Sequence, residues 1–323
     1  MHPFFLSFVF LIVKTELGLI FNDDMMRKIY FIGVVLAMAT LSGCYYGACV
    51  DGSGPVVSEV REVEGFTGVT NTASFNVYVS HAESFYVEVV AQENLLGVVE
   101  TYVSGNTLII QTDNNACYRS SVPVEVYISM PETELLSLEG SGRVYSDFLE
   151  STEVDISNTG SGRMEIDSVW TEALVLSNGG SGSIDVDVNY AYAVDAIQSG
   201  SGDILCGTLL GTSEVKIRHS SSGRISAIVP DGIIMDVDMS GSGRIELSGD
   251  VVEAEYSLNS SGRIDALDLM AQDVDATNTG SGDIYLWATE FLDATITGSG
   301  DIIYQGNPEL NIRITGSGNI RSY

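Results

Sequence analysis

Basic residues are scarce in this 323-residue sequence. Fourteen Lys and Arg stand against 44 Asp and Glu, a formal net charge of -30. Without a basic footprint to neutralise phosphates, nucleic acid is excluded as a partner. Docking on anionic lipid through a polybasic face is excluded for the same reason. Histidine is confined to His2, His81 and His219. None of the three has a recognisable partner for nucleophilic or acid–base chemistry. Proline is low at 6, and the four cysteines include neither a CxxC pair nor metal-like spacing. No Gly-rich stretch runs into Lys-Ser or Lys-Thr, so a phosphate-cradling loop is excluded. No helix-length amphipathic segment follows Cys44. The acidity does not signal disorder, because a 45% hydrophobic share supplies a core. These absences argue against an enzyme and against any cofactor.

The N-terminus carries a targeting pattern. Met26, Arg27 and Lys28 make a short basic start, an apolar run extends from Ile29 to Leu41, and Ser42-Gly43-Cys44 follows. Basic head, apolar middle and small residues describe a secretory signal peptide, too short for a committed membrane helix. The Leu-Ser-Gly-Cys ending resembles the lipobox of bacterial lipoproteins, which implies cleavage before Cys44 and a lipid on its sulfur. Residues 1–43 are therefore expected to be removed. Met25 or Met26 is the better biological start, because the Phe4–Val13 apolar run is redundant before one lipobox. Only three basic and three acidic residues precede Cys44, so the exported part carries the whole negative charge. The expected location is the cell envelope, on the outer membrane, with the membrane itself as a partner through the anchor. Cys49 and Cys117 can pair in that oxidising compartment, although nothing in the sequence fixes their distance. Cys206 reads as a small core residue.

What dominates the remainder is a repeat. Gly140-Ser141-Gly142 recurs with two relaxed copies, Ser221-Ser222-Gly223 and Ser260-Ser261-Gly262. The closing glycines are Gly142, Gly162, Gly182, Gly202, Gly223, Gly243, Gly262, Gly282, Gly300 and Gly318, at steps of 18 to 21 residues. Two residues after each comes an apolar side chain, from Val144 and Met164 through Ile184, Ile204, Ile225, Ile245, Ile264, Ile284 and Ile302 to Ile320. Six and eight residues before each lie two more apolar columns, such as Ile156 with Val154 and Leu176 with Leu174. Alternation of this kind marks strands with one buried face. Each unit then holds two short strands, one after the triplet and one before the next. A twenty-residue unit cannot bury a core alone, but stacked units can. The expected fold is all-β: a parallel β-helix, or solenoid, of about 20 residues per coil over 135–323. Nine intervals at the roughly 4.8 Å strand spacing span about 43 Å. The glycines are structural turns, expected to supply positive φ and room for the neighbouring corner, with the closing position the stricter one.

Other columns fall outside or at the corner. Asn158, Asn178, Gln198, His219 and Asn278 share the position four before the closing glycine and suggest a corner ladder. The outward column Asp155, Val175, Asp195, Lys216, Asp236, Glu255, Asp275 and Asp293 is mostly acidic, and from Asp236 on it stacks carboxylates one strand apart. Such a column faces water or holds cations, calcium weakly at best; the solvated reading is preferred. Before the repeats, 44–64 reads as a lipid-anchored tether. Residues 65–134 read as an N-terminal β segment, either wider first coils capping the solenoid or a small β-sandwich.

The Phe66–Val69 opening, the paired strands after it, the Glu93-Asn94-Leu95-Leu96 stretch and the Gly-Ser-Gly-x-Ile repeats resemble the head GIN domain family. That family, a domain of unknown function also described as an auto-transporter adhesin, is frequent in Bacteroidetes-type bacteria behind lipoprotein signals. The resemblance covers about 62–323 and implies an all-β, partly β-helical exported protein. It transfers no catalytic residue. The functional expectation is a non-catalytic surface module that binds a glycan or a cell-surface protein. Tyr145, Trp170, Tyr190, Tyr192, Tyr285 and Trp287 are its candidate contact aromatics. A purely structural spacer is the alternative, and a polysaccharide-acting β-helix enzyme the third reading.

Overall fold

The computed structural model describes residues 49–113 and 116–323. Cys44, the signal sequence and the first residues of the expected tether lie outside them. Among the described residues no helix is long and apolar enough to cross a membrane.

The repeats form a parallel β-solenoid of about nine turns, near 20 residues per coil. Each strand pairs in register with its counterpart one repeat on. Arg163–Asn178 pairs with Ser183–Gln198, placing Met164 beside Ile184, Leu174 beside Val194 and Leu176 beside Ala196. The column that starts at Val144 is buried at every coil as far as Ile302, and only Ile320, on the last coil, is half-exposed. Burial of about 25 cal/mol per Å² of apolar surface, repeated at each rung, is the main force holding the coils together. Cys206 belongs to this interior, and burial pushes its thiol up to about 12, which makes it unreactive.

Each coil has three straight segments rather than two. In the Arg163–Asn178 strand, pairing breaks at Asp167 and Glu172, leaving a middle segment between them. This segment has its own inward column: Leu149, Val169, Leu209, Val229 and Leu269 are all buried. Differences in repeat length are absorbed here. The register shifts between Leu205 and Thr208, between Val229 and Gly232, and between Ala266 and Met270. Positive-φ glycines cluster here too, at Gly207, Gly211, Gly249 and Gly306.

The triplet glycines do not adopt positive φ; a different constraint acts on them. A Cβ on Gly182 would overlap the carbonyl oxygen of Gly162 in the coil beneath, and one on Gly180 would overlap that of Gly160. Opening and closing positions are both crowded by backbone in these coils, although Ser221 and Ser260 stand at the opening position of two others. The corner column is structural. Asn158, Asn178 and Asn278 are fully buried, and each donates from Nδ2 to the carbonyl of its closing glycine at 2.8–3.0 Å. Each also accepts from the opening glycine's N–H.

His219 takes the same position in its own coil. Its Nε2 lies 2.7 Å from the Gly223 carbonyl, and its Nδ1 faces the Ser221 N–H. Such partners suit the neutral Nε2–H tautomer. Burial holds the imidazole below its ordinary value of 6.5, against the opposing pull of the Gly223 carbonyl. The folded state therefore binds fewer protons than the unfolded chain, and stability is lost as pH falls from about 6.5 towards the lowered folded value. A His219→Asn variant is expected to show a smaller drop in urea midpoint between about pH 7 and about pH 5 than the native chain. An equal drop in both would assign the loss to the carboxylates.

The N-terminal end is closed by strands that do not follow chain order. Gly68–Asn71 and Asn76–His81 form a coil on which the first repeat stacks, through Leu135–Leu138 and Arg143–Ser146. On its other side lie Thr107–Thr112 and Glu125–Met130, also parallel. Antiparallel strands Tyr86–Gln92 and Val99–Ser104 then finish the sheet, which blunts an edge that would otherwise pair with other chains. This arrangement favours capping first coils over a separate sandwich. Part of the stretch read as a tether is built into it. Val56–Val60 pairs antiparallel with Tyr86–Gln92, and Val50–Asp51 pairs with Tyr118–Arg119 beside a Cys49–Cys117 disulfide. The turn-rich residues between Asp51 and Val56 connect two short edge strands.

Candidate functional site

Four consecutive coils each place one aromatic ring at the start of the middle segment or along it. His81 ends the strand Asn76–His81, Phe148 precedes Leu149–Glu150, and Trp170 and Tyr190 are register partners in the next two coils. The rings form a continuous ladder. His81 to Phe148 is 5.7 Å between centroids, Phe148 to Trp170 is 6.1 Å and Trp170 to Tyr190 is 5.0 Å, the first two edge-to-face. Trp170 is 51% exposed and Tyr190 43%, so the ladder presents ring surface to solvent. A contiguous exposed aromatic patch of this kind is uncommon unless it is used.

Three of the four rings, His81, Trp170 and Tyr190, border an open groove of about 710 Å³. Across from the rings stand Pro131 and Glu132, and Glu150 and Glu172 flank Trp170 along its own coil and the one before. Ser151 donates to Glu132 Oε1 at 3.0 Å, and Thr171 donates to the Thr152 carbonyl at 2.9 Å, which fixes the floor. Tyr192 is 65% exposed and lies between Ala191 and Ala193, the register partners of Thr171 and Ala173. It therefore stands one coil on from Glu172, outside the residues that line the groove.

The other candidate aromatics are elsewhere. Tyr145 joins a separate ladder with Tyr78 and Tyr127 on the first segment's outer face. Its hydroxyl donates to Asp167 at 2.7 Å, and that bond raises its pKa above the ordinary value. Tyr285 lies under the Arg263 guanidinium, 3.9 Å from ring centroid to the central carbon. Trp287 is half-buried, paired with Met270 and Gln305. The six residues thus split: Trp170 and Tyr190 meet at the groove, while Tyr192, Tyr145, Tyr285 and Trp287 do not. Sequence reasoning missed Phe148, His81 and the three glutamates. Glu150, Trp170 and Tyr190 are twenty residues apart, so the repeat period itself was the signal for them.

Two further grooves are weaker. Along the triplets, serine hydroxyls run beside Arg143, Arg163, Arg224, Arg244 and Arg263 in spaces of about 450 and 480 Å³. The last four guanidinium groups are each taken by a carboxylate, as in Arg224–Asp203 at 3.0 Å and Arg263–Asp265 at 2.9 Å. That self-neutralisation removes most of the pull on an anion. On the third segment, Asp236, Glu255, Asp275 and Asp293 are successive register partners. Burial and then the Asp293 charge raise the Asp275 carboxyl above its ordinary value. Carboxylates spread one per coil do not converge, and among the described residues no group of three His, Cys, Asp or Glu is placed to hold a metal ion.

Comparison with known proteins gives a family and a set of solved relatives. The family model described as "Putative auto-transporter adhesin, head GIN domain" matches residues 65–234 and again 186–308. A "putative lipid binding protein" from Parabacteroides distasonis is 25% identical, with a TM-score of 0.46 over 85% of this chain and 99% of its own. A "putative adhesin" from Parabacteroides merdae is 18% identical, with a TM-score of 0.49 over 86% of this chain and 100% of its own. No curated protein matches the sequence. With the glycine-marked repeats folded as a solenoid and the family model spanning cap and coils alike, the chain belongs to the head GIN domain family.

Proposed function

We propose that this protein is a surface-displayed, non-catalytic binding module that grips a glycan in the groove bordered by His81, Trp170 and Tyr190. The observation that carries the reading is the ring ladder itself, exposed along a groove and spaced by successive coils. Sugar rings present flat C–H faces that stack on such aromatics, while their hydroxyls meet the flanking carboxylates and Ser151. The family's adhesin description supports a role in surface contact. In this reading Cys44 carries lipid and the anchor holds the module on the outer membrane.

A glycan array probed with the full chain tests the proposal. Trp170→Ala is expected to lower the affinity for whatever glycan is retained by more than about tenfold, as truncating a central aromatic anchor does. Tyr285→Ala, far from the groove, should leave it unchanged. If no glycan is retained, or Trp170→Ala binds as well as the native chain, the groove is not the contact site and a spacer role takes its place. Release of reducing sugar from a bound polysaccharide would overturn the non-catalytic reading.

A further inference from the structure

The groove's charge selects among glycans. Glu132, Glu150 and Glu172 are all exposed at its edge, and His81 is the only other ionisable group among its ring and rim residues apart from the Tyr190 phenol. No Lys or Arg lines it. Elsewhere on the surface a minority of the carboxylates are met by cations, among them Glu165 by Arg163, Asp203 by Arg224, Glu214 by Lys216, Glu246 by Arg244 and Asp265 by Arg263. Glu150 and Glu172 make no ion pair among the described residues, and Glu132 only accepts the Ser151 hydroxyl. Three carboxylates therefore surround an exposed indole with their charge unbalanced.

That combination is the recognition chemistry of an ammonium group. The face of Trp170 attracts a cation through its quadrupole, and tryptophan is the strongest aromatic partner for one. The carboxylates add direct attraction, and the net charge of -30 concentrates cations at the surface generally. An acidic or sulfated saccharide would meet repulsion from every rim charge. An N-acetylated sugar would stack on the rings but leave the carboxylates unpaired. We infer that the groove takes a saccharide carrying free, protonated amines in preference to its N-acetylated or acidic counterpart. This inference rests on the glycan reading of the same groove.

The test compares oligomers of equal length that differ in charge: glucosamine, N-acetylglucosamine and galacturonate. Binding to the full chain is measured by calorimetry near neutral pH, at low and at high salt. The glucosamine oligomer is expected to bind at least about tenfold more tightly than the other two at low salt, with the advantage shrinking as salt screens the rim. A Glu150→Gln/Glu172→Gln double variant, checked for an unchanged melting temperature, should reduce that advantage severalfold while leaving stacking on Trp170 in place. Equal or tighter binding of the N-acetylated or the acidic oligomer, lost in Trp170→Ala, would overturn the charge preference and leave the glycan groove standing. Binding of no oligomer, here or on the array, would overturn both.

Discussion

Replacing Gly182 by alanine is expected to prevent the solenoid from forming. The new methyl group would overlap the Gly162 carbonyl oxygen and would sit 2.7 Å from the Asn158 amide nitrogen. Neither neighbour can yield. The carbonyl is backbone in a coil whose own closing glycine is packed the same way against Gly142. The amide is fully buried and bonded to the Gly162 carbonyl. Relief would require two coils to part, which breaks the parallel ladder on all three segments at once. The cost should exceed about 4 kcal/mol, the exceptional end of single substitutions. Gly179→Ala is the control, three residues away in the same corner. Its methyl would come no closer than 3.6 Å, to the Ser199 hydroxyl, and its effect should stay within about 1 kcal/mol. Circular dichroism with thermal melting separates the two outcomes. Similar melting temperatures for Gly182→Ala and the native chain would refute the packing account of the triplet.

That account also shows which parts of the molecule could be read before its coordinates. Gly142 to Gly318 recur so regularly because the corner permits no Cβ, and the columns beginning at Val144 and Val154 recur because they fill one interior. Strict local constraints write a period into sequence. The middle segment escaped because it is where the period is broken. Gly207, Gly211, Gly249 and Gly306 bend the chain there at positive φ, and the polar Asn189 and Gly249 interrupt its apolar inward column. The positive φ expected at the triplets was thus real but misplaced. The cap escaped for another reason. Its coil of Gly68–His81 lies between Thr107–Met130 and Leu135–Ser146, an order that no local pattern encodes. The groove divides along the same line. Glu150, Trp170 and Tyr190 follow the period, whereas His81 reaches it from the cap and only the fold brings it there.

The second large effect concerns the buried amides. Asn178 donates from Nδ2 to the Gly182 carbonyl at 2.9 Å and to the Asp203 carbonyl at 3.1 Å, and its Oδ1 accepts from the Gly180 N–H at 3.2 Å. One side chain thus ties its own corner to the coil above. Asn178→Ala removes the ties and leaves a cavity in the interior. With each buried polar group left bare costing about 1–3 kcal/mol, and with the Gly180 N–H retaining its bond to the Asn158 carbonyl, the loss should be about 2–4 kcal/mol. Two companions distinguish hydrogen bonding from packing. Asn178→Gln should recover much of the loss, because Gln198 makes the equivalent bond to Gly202 from the same column at 2.5 Å. Asn178→Leu fills the space but restores no bond. Leu258 occupies this column in a coil whose triplet opens with Ser260, and the Ser260 hydroxyl accepts from the Gly262 N–H and donates to the Gly241 carbonyl. Leu138 occupies the same column before a triplet that opens with Gly140, so the position accepts a leucine without such a hydroxyl, and Asn178→Leu should lose the bonds but keep the packing. Denaturant midpoints should therefore rank native, Gln, Leu, then Ala. A leucine variant as stable as the native chain would mean that the corner is held by packing alone.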